Sequence, residues 1–303
     1  MPASDCLPLF LQYCREQKRL DPKTVKAYRI DVAQFLSFLK QDGGKPVSKE
    51  SVRAYISQLN QRFKPRSVKR KIAAIKAFVS YAVEEGCLAE NPFFALRISH
   101  PKSLTLPRTI PLNFIREMLR EAYSRIDSTK TTTQRLHSIR DAALLELLFA
   151  TGMRISEVCG LQEKDLDLTE GIIFVRGKGN RERIVELANR DVLNILSRYQ
   201  QEKSAESGHF FLNNRGKPLS DQSARRIIKG IAKAVDPSRH VTPHMLRHSF
   251  ATLLLEEDVD IRYIQTILGH SSISTTQIYA YVSSQKRRAI LTDKHPRNKI
   301  IMK

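Results

Sequence analysis

The chain is interrupted by the segment Ile98–Leu112, ISHPKSLTLPRTIPL, which contains three prolines and no helical spacing of apolar residues. Because proline lacks the N–H that a helix or a central strand needs, neither element can run through this segment. The 303 residues suffice for two separate hydrophobic cores. We therefore predict a helical domain over residues 1–90, a linker over 91–109, a second domain over 110–290 and a basic tail over 291–303.

The first domain carries four apolar stripes at helical spacing, which together predict a compact four-helix unit. The second stripe follows Asp21-Pro22 and ends at Gly43-Gly44, and the fourth follows Pro65. Ser48 starts the third stripe. Because a serine rather than an acid stands three residues after it, we predict a weaker cap there than a capping box would provide.

The fourth stripe begins among cations that have no acid between them: Arg62, Lys64, Arg66, Lys69, Arg70 and Lys71. Cations at a helix N-terminus are repelled by the helix dipole. A nucleic-acid phosphate at this helix end would offset the repulsion, because exposed backbone amides and cations both favour an anion. We predict that these six residues contact the DNA backbone.

The overall charge also favours a polyanionic partner. The chain has 51 Lys and Arg against 31 Asp and Glu, a formal net charge of +20. It contains no apolar run of the ~20 residues that a membrane helix needs, and its start does not resemble a signal peptide. The four cysteines are scattered, which predicts reduced thiols in a cytoplasm. With a DNA partner, the expected location is the nucleoid.

The second domain is predicted to be mainly helical with a small antiparallel β-sheet. A helix from Asn113 precedes a polar loop, DSTKTTTQRLHS, and then an apolar helix over Ile139–Thr151. Two β-type runs around Gly177-Lys178-Gly179 predict a hairpin with Lys178 at its tip, either as simple turn chemistry or as a mobile cation. Two further helices are expected over residues 191–201 and 220–235, and the second carries the proposed DNA contacts Arg225 and Arg226.

Polar residues at predicted helix ends can converge on one cleft. Arg154 follows the turn residue Gly152, and taken alone it fits a structural role as well as a functional one. His244 and Arg247 share one helix face. His270 follows a helix over residues 261–268 that is expected to stop at Gly269, and Tyr279 lies in a last helix.

A zinc site made by His244, His248 and His270 is the main alternative. His244 and His248 have the spacing of a metal motif on a helix. However, Met245 stands where an HExxH motif has its acid, and no carboxylate ligand is near in the sequence. We therefore predict no metal and no other cofactor.

The stretches TGMRISE, GKGNRER, HMLRHSFAT and LGHSSISTTQIY, in this order, resemble the tyrosine recombinases of the phage-integrase family. The likeness is strongest to Xer-type enzymes, which act on chromosome and plasmid dimers and so serve chromosome partition at cell division. The resemblance implies a helical, SAM-like core-binding domain followed by an α+β catalytic domain. It also implies the catalytic set Arg154, Lys178, His244, Arg247, His270 and Tyr279.

The same resemblance implies that Tyr279 attacks duplex DNA and forms a 3′-phosphotyrosyl intermediate. The expected partners are double-stranded DNA with paired half-sites, a homo- or hetero-tetramer on that DNA, and a second recombinase or accessory protein. Two departures stand out: TQRLHS resembles a short insertion, and Tyr281 occupies a position where Xer proteins commonly have histidine. Mobile-element integration, DNA binding without chemistry and a type IB topoisomerase-like activity remain alternatives.

Overall fold

The computed structural model describes residues 5–94, 96, 108–176, 182–203 and 208–269. The chain divides into two compact units, residues 1–104 and 105–303, and this division falls inside the predicted linker. Within the described ranges, no helix combines the length and the apolar character needed to cross a membrane.

Four helices fill residues 5–94 of the N-terminal unit: α1 (Cys6–Glu16), α2 (Pro22–Gln41), α3 (Lys49–Arg62) and α4 (Pro65–Glu84). Their apolar stripes meet in one core, in which Phe10, Phe35 and Phe78 are fully buried. Asp21 caps α2 by accepting a hydrogen bond from the Lys23 N–H, as expected for an acid directly before Pro22.

The N-terminus of α3 is better capped than predicted. The Ser48 hydroxyl accepts from the Ser51 N–H at 3.2 Å, and the Ser51 hydroxyl accepts from the Ser48 N–H at 2.8 Å. This is a reciprocal capping box, so the prediction of a weaker cap was wrong. The Ser51 hydroxyl reaches the Ser48 N–H as a glutamate would, because both serines lie at the helix start.

The cysteines also differ from expectation. Cys6 at the start of α1 and Cys87 after α4 form a disulfide, with Cα atoms 6.9 Å apart. Cys14 and Cys159 are buried. The prediction of reduced thiols was wrong for the first pair, because residues 81 positions apart in sequence meet across the helix bundle.

The second unit is mainly helical with a small sheet, which confirms the predicted fold class. Its helices are α5 (Leu112–Asp127), α6 (Thr132–Thr151), α7 (Ile155–Gly160), α8 (Arg190–Glu202), α9 (Asp221–Val235), α10 (Pro243–Glu256) and α11 (Ile261–Leu268). The strands β1 (Leu166–Asp167), β2 (Ile172–Arg176) and β3 (Glu182–Glu186) are antiparallel in the order β1-β2-β3. Cross-strand partners in β2 and β3 include Phe174 with Ile184 and Val175 with Arg183.

The central helix α6 begins earlier than predicted. The loop assigned to DSTKTTTQRLHS was wrong from Thr132 onward, because this residue already starts the helix. The Thr131 hydroxyl caps it by accepting from the Gln134 N–H. The first turn of α6 is exposed to solvent, so it needs no apolar stripe and gave no periodic signal. Further along, Leu144, Leu145 and Leu148 are fully buried in the core.

Candidate active site

Gly152, which ends α6, determines how three helices meet. Its φ of +60° is left-handed, and a Cβ at this position would lie 2.6 Å from the Phe250 side chain and 2.8 Å from that of Leu268. Only glycine therefore fits between the end of α6 and the side chains from α10 and α11. The chain then passes Met153 and enters α7, whose N-cap residue is Arg154.

Arg247 of α10 ties these helix ends together. Its side chain is buried, and its guanidinium donates to the Gly152 carbonyl at 2.7 Å and to the Leu268 carbonyl at 2.8 Å. Both carbonyls lie at helix C-termini, where the partial negative charge of the dipole favours a cation. The Arg247 guanidinium is therefore held in one orientation before any ligand binds.

Arg154 reaches the same place from α7. Its guanidinium donates to Glu157 Oε1 at 2.8 Å and to the Gly269 carbonyl at 3.4 Å. Since Arg247 binds the carbonyl of Leu268, the two arginines contact adjacent peptide groups at the end of α11. The structure thus brings together Arg154 and Arg247, as the predicted cleft requires, and the Arg154 side chain remains 38% exposed to solvent.

Glu157 holds this arrangement through both carboxylate oxygens. Oε1 accepts from Arg154 and from Arg183, at 2.8 and 3.1 Å, while Oε2 accepts from the Arg154 backbone N–H and from Arg183, both at 2.8 Å. Burial raises the pKa of Glu157, but the hydrogen bonds from Arg183 and Arg154 and the charge of Arg183 outweigh it and lower the pKa to about 2. The carboxylate therefore stays ionised at neutral pH.

Arg183 was missed as a site residue. It lies within the GKGNRER stretch, but only its neighbour Lys178 was singled out. A signal was present: residues two apart on a strand share a face, so Arg183 lies on the same face as buried Val185. A charged residue on the core face of a strand needs a buried partner, and here that partner is Glu157.

His244 lies on the exposed first turn of α10, one turn before Arg247. Thr242 caps this helix through the Met245 N–H, and Pro243 occupies its first turn, as predicted. His248 is half-buried, and burial, followed by the charges of His244 and Arg247, lowers its pKa. Among the described residues, no group of three or more His, Cys, Asp or Glu side chains could hold a metal ion.

The remaining members of the predicted catalytic set, Lys178, His270 and Tyr279, lie outside the described residues, as does Tyr281. Their chain neighbours are described. Strands β2 and β3 flank the stretch that contains Lys178, and Gly269, bound by Arg154, directly precedes His270. The φ of Gly269 is +64°, so α11 ends in the left-handed turn predicted from its sequence.

One of the DNA contacts predicted at the basic start of α4 is buried in the structure. Arg62, Lys64, Arg66 and Lys69 are exposed, whereas Lys71 is only 3% exposed and forms an ion pair with Asp31 at 3.0 Å. Lys71 points into the bundle because it lies on the same helix face as the core residue Val68. Arg70 is half-exposed and also binds Asp31.

The predicted contacts Arg225 and Arg226 lie on the exposed face of α9, together with Lys229. The opposite face of this helix, with Ile228 and Ile231, is fully buried. The two arginines are therefore available to a ligand, in contrast to Lys71.

Comparisons with known proteins cover both units. The family model described as "Phage integrase family" matches residues 117–286. The model described as "Phage integrase, N-terminal SAM-like domain" matches residues 7–86.

Several curated relatives are similar over nearly their full length. A "Tyrosine recombinase" of Agathobacter rectalis is 46% identical, with 95% of each chain covered. A "Tyrosine recombinase XerC" of Bacillus pumilus is 35% identical, again over 95% of each chain. A "Tyrosine recombinase XerD" of Listeria monocytogenes is 33% identical over 97% of this chain and 99% of the relative.

Solved structures share the fold. A XerA recombinase is 29% identical, with a TM-score of 0.53 and coverage of 97% of this chain and 99% of the other. A XerH recombinase, solved as a post-cleavage complex with a palindromic difH substrate, has a TM-score of 0.74 at 21% identity, covering 95% of this chain and 85% of the other.

Proposed function

The chain belongs to the phage integrase family and is a tyrosine recombinase, and from this premise we propose that it cuts and rejoins specific DNA sites through a 3′-phosphotyrosyl bond to Tyr279. The observation that carries the proposal is the convergence of Arg154 and Arg247 on adjacent carbonyls directly before His270. Two fixed guanidinium groups at one point form a suitable receptor for a phosphodiester.

The arginines stabilise the transition state of strand cleavage. Negative charge grows on the nonbridging oxygens of the phosphate when a nucleophile attacks. Arg247, held by two backbone carbonyls, and Arg154, held by Glu157, need no reorganisation at that moment. The planar guanidinium fork suits two phosphate oxygens better than the point charge of lysine does.

The other four residues complete the reaction. The Tyr279 oxygen forms a bond to phosphorus while the bond from phosphorus to the 5′ oxygen breaks. His244 accepts the tyrosine proton, Lys178 donates a proton to the leaving 5′ oxygen, and His270 donates a hydrogen bond to the phosphate. Attack by a 5′-hydroxyl of a partner duplex reverses these steps and exchanges strands. The energy of the phosphodiester is retained, so neither ATP nor a metal is needed.

The domains divide the work along the predicted boundaries. Residues 1–90 hold the duplex through the exposed cations at the start of α4, and residues 110–290 cut it, with Arg225 and Arg226 as further backbone contacts. The two family matches, at residues 7–86 and 117–286, support this division. The chain acts as a tetramer on paired half-sites; the tail over 291–303, predicted to contact a neighbouring protomer, lies outside the described residues.

The biological role is Xer-like resolution of chromosome or plasmid dimers in the cytoplasm, at the nucleoid. Relatives named XerC and XerD support it at 35% and 33% identity, over nearly the full length of both chains. Because both names occur among these relatives, the partner recombinase is either a second copy or a related chain. Integration of a mobile element is the competing role for the same chemistry.

A suicide-substrate assay tests the proposal. A binding site is first selected from a pool of random duplexes by gel shift. It is then nicked beside the cleavage position, so that cleavage releases a short fragment with a free 5′-hydroxyl, which diffuses away. In EDTA, we expect a covalent protein–DNA band from the unaltered chain and from Tyr281→Phe, but not from Tyr279→Phe. Loss of the band with Tyr281→Phe alone would move the nucleophile two residues on.

The competing activities give different results in the same series. Specific binding without a covalent band from any form would indicate a DNA-binding protein without chemistry. Relaxation of a supercoiled plasmid that lacks the selected site would indicate a topoisomerase-like enzyme. We expect neither result.

A further inference from the structure

Arg183 connects the β-hairpin to the candidate active site. It lies in β3, opposite Val175 of β2, and its side chain is 14% exposed. Its two terminal nitrogens donate to the two carboxylate oxygens of Glu157, at 3.1 and 2.8 Å. This is the bidentate arrangement in which an arginine fixes both the distance and the orientation of a carboxylate.

The same carboxylate orients Arg154. Each oxygen of Glu157 accepts one hydrogen bond from Arg183 and one from Arg154, so rotation of the carboxylate would break contacts with both arginines. The position of the Arg154 guanidinium, which is 38% exposed, therefore depends on a contact made by β3.

Arg183 also lies against the turn at the end of α11. A Cβ at Gly269 would lie 3.0 Å from Arg183 Cδ and 3.1 Å from its Nε, which is tight contact. The carbonyl of Gly269 in turn accepts from Arg154. One side chain thus touches the turn that precedes His270 and the carboxylate that holds Arg154.

This arrangement is not one that stability alone would select. Within the described residues, Arg183 Nε is buried and has no hydrogen-bond acceptor. A buried donor without a partner lowers stability, because it has given up its hydrogen bonds to water. Buried polar groups left in this way call for an explanation beyond packing, such as a role in the site.

We propose that Arg183 is a positioning residue for strand cleavage, which fastens the hairpin bearing Lys178 to Glu157 and so holds Arg154 and that hairpin in one fixed relation. The inference rests on the proposed function and deepens it. In cleavage, Arg154 binds the phosphate oxygens while Lys178 protonates the leaving oxygen of the same phosphate. Both groups must therefore be held at a fixed distance from each other, and Arg183 is five residues from Lys178 in the chain.

The test uses the full chain on the nicked duplex described above, with Arg183→Gln, Arg183→Lys and the matched control Arg176→Gln. Arg176 ends β2 in the same hairpin, but it is 57% exposed and pairs with Asp165 and Glu182. We expect Arg183→Gln to slow covalent adduct formation about 100-fold at saturating DNA, with DNA affinity changed less than about threefold. Arg183→Lys should recover part of the rate, and Arg176→Gln should cleave like the unaltered chain.

Two readouts separate positioning from mere loss of stability. In an Arg154→Lys background, Arg183→Gln should lower the rate of adduct formation by less than about threefold, because both substitutions remove the same function, the oriented guanidinium of Arg154. If Arg183 only stabilised the fold, the double substitution would lower the rate by the product of the two separate reductions. In addition, the acid limb of the rate–pH profile should move to higher pH in Arg183→Gln, because Glu157 loses its bidentate partner and its pKa rises.

The outcomes are distinguishable. Adduct formation at an equal rate by the unaltered chain and Arg183→Gln overturns this inference and leaves the proposed function standing. If Arg183→Gln does not fold, Arg183→Lys decides, and an unchanged rate and pH profile there overturns the inference. Absence of any adduct from the unaltered chain, with binding intact, overturns the proposed function and this inference with it.

Discussion

In the N-terminal unit Asp31 is fully buried and binds Arg70 and Lys71, whereas in the catalytic unit Glu157, with its side chain 6% exposed, binds Arg154 and Arg183. Each carboxylate thus holds one cation inside the protein and one at its surface. The side chain of Lys71 is 4% exposed and that of Arg70 48%, while Arg183 is 14% and Arg154 38% exposed.

The N-terminal cluster (Asp31, Arg70 and Lys71) and the catalytic cluster (Glu157, Arg154 and Arg183) differ in which elements of the structure they connect. The cations of the first come from adjacent positions on α4, and Asp31 lies on α2, so the cluster joins two helices that already share a core. The cations of the second come from α7 and β3, and both lie at the end of α11. The first cluster therefore stabilises a bundle, while the second determines how separate elements stand relative to one another.

The chemistry of the buried cation follows this difference. Lys71 is a point charge that also donates to Gln34 and lies 4.8 Å from the centre of the Phe63 ring. Arg183 is a planar fork that fixes the orientation of its partner. A bundle needs only a neutralised charge, whereas a phosphate site needs its guanidinium at a defined angle. Buried ion pairs contribute little net stability in either case, so orientation is what they add.

The largest effect is expected from removing the carboxylate charge in the catalytic cluster. Glu157→Gln leaves buried Arg183 without its counter-charge, which should lower the free energy of unfolding by about 4 kcal/mol. Adduct formation should also fall at least about 100-fold, because Arg154 loses its orientation. Urea unfolding and the nicked-duplex assay measure the two effects.

Glu202→Gln is the matched control, since Glu202 pairs with Arg198 and the two side chains are 32% and 37% exposed. It should cost under about 1 kcal/mol. Equal losses from Glu202→Gln and Glu157→Gln would contradict the importance of the shared carboxylate.

Acid should weaken the catalytic cluster in a defined pH range. The pKa of Glu157 is lowered from 4.5 to about 2 in the folded chain, so its stabilisation is complete above the unfolded value and is lost as the pH falls toward 2. A shift of this size corresponds to about 3 kcal/mol. The difference in unfolding free energy between the unaltered chain and Glu157→Gln should therefore shrink between pH 5 and 2, roughly. A difference independent of pH would argue against an ionised Glu157.

Asp31→Asn should have a smaller effect on stability and leave the chemistry intact. Asparagine leaves the buried charge of Lys71 unpaired, but Lys71 keeps its hydrogen bond to Gln34, so we expect a loss of about 3 kcal/mol. The rate of adduct formation at saturating DNA should stay within about threefold of the unaltered rate, because Arg154 and Glu157 are untouched. Asp42→Asn, at an exposed pair with Lys45, serves as control. A large loss of rate with Asp31→Asn at saturating DNA would erase the contrast between the two clusters.

The smallest effect on stability is expected at the outward cation of the N-terminal cluster. Arg70→Gln should change the unfolding free energy by less than about 1 kcal/mol, because Arg70 is half-exposed. It should reduce the slope of log affinity against log salt by about 1, as loss of one phosphate contact does. Lys45→Gln should leave the slope unchanged. An unaltered slope in Arg70→Gln would remove Arg70 from the DNA-binding face.

Much of the fold was predictable because its signals are local in the chain. The bounds of α11, the caps at Asp21 and Thr242 and the hairpin strands all follow from residues within one or two turns of each other. The start of α6 was not predictable in this way, since its exposed first turn carries no apolar period. The capping box at Ser48 was not predicted, because the side chain of Ser51 is shorter than that of the glutamate that usually occupies this position.

The candidate site was predictable in its residue types and only partly in its geometry. Arg154 and Arg247 were identified from motifs, and the structure brings them to neighbouring carbonyls. Lys71 and Lys69 belong to the same basic stretch; helical spacing places Lys71 on the face of Val68, but the stretch contains no partner for its charge. Lys71 is buried because Asp31, 40 residues earlier, faces it across the bundle.

By itself the sequence determined the two-unit plan, most helix limits and the family of the chain, because caps, periodicity and motifs depend on residues close together in the sequence. Only the tertiary structure decided which cations are buried and what they hold. Arg183 meets Glu157 across 26 residues, and Arg247 meets Gly152 across 95. Burial and charge pairing arise from contacts between distant segments, and the energy of each contact exists only once those segments have packed together.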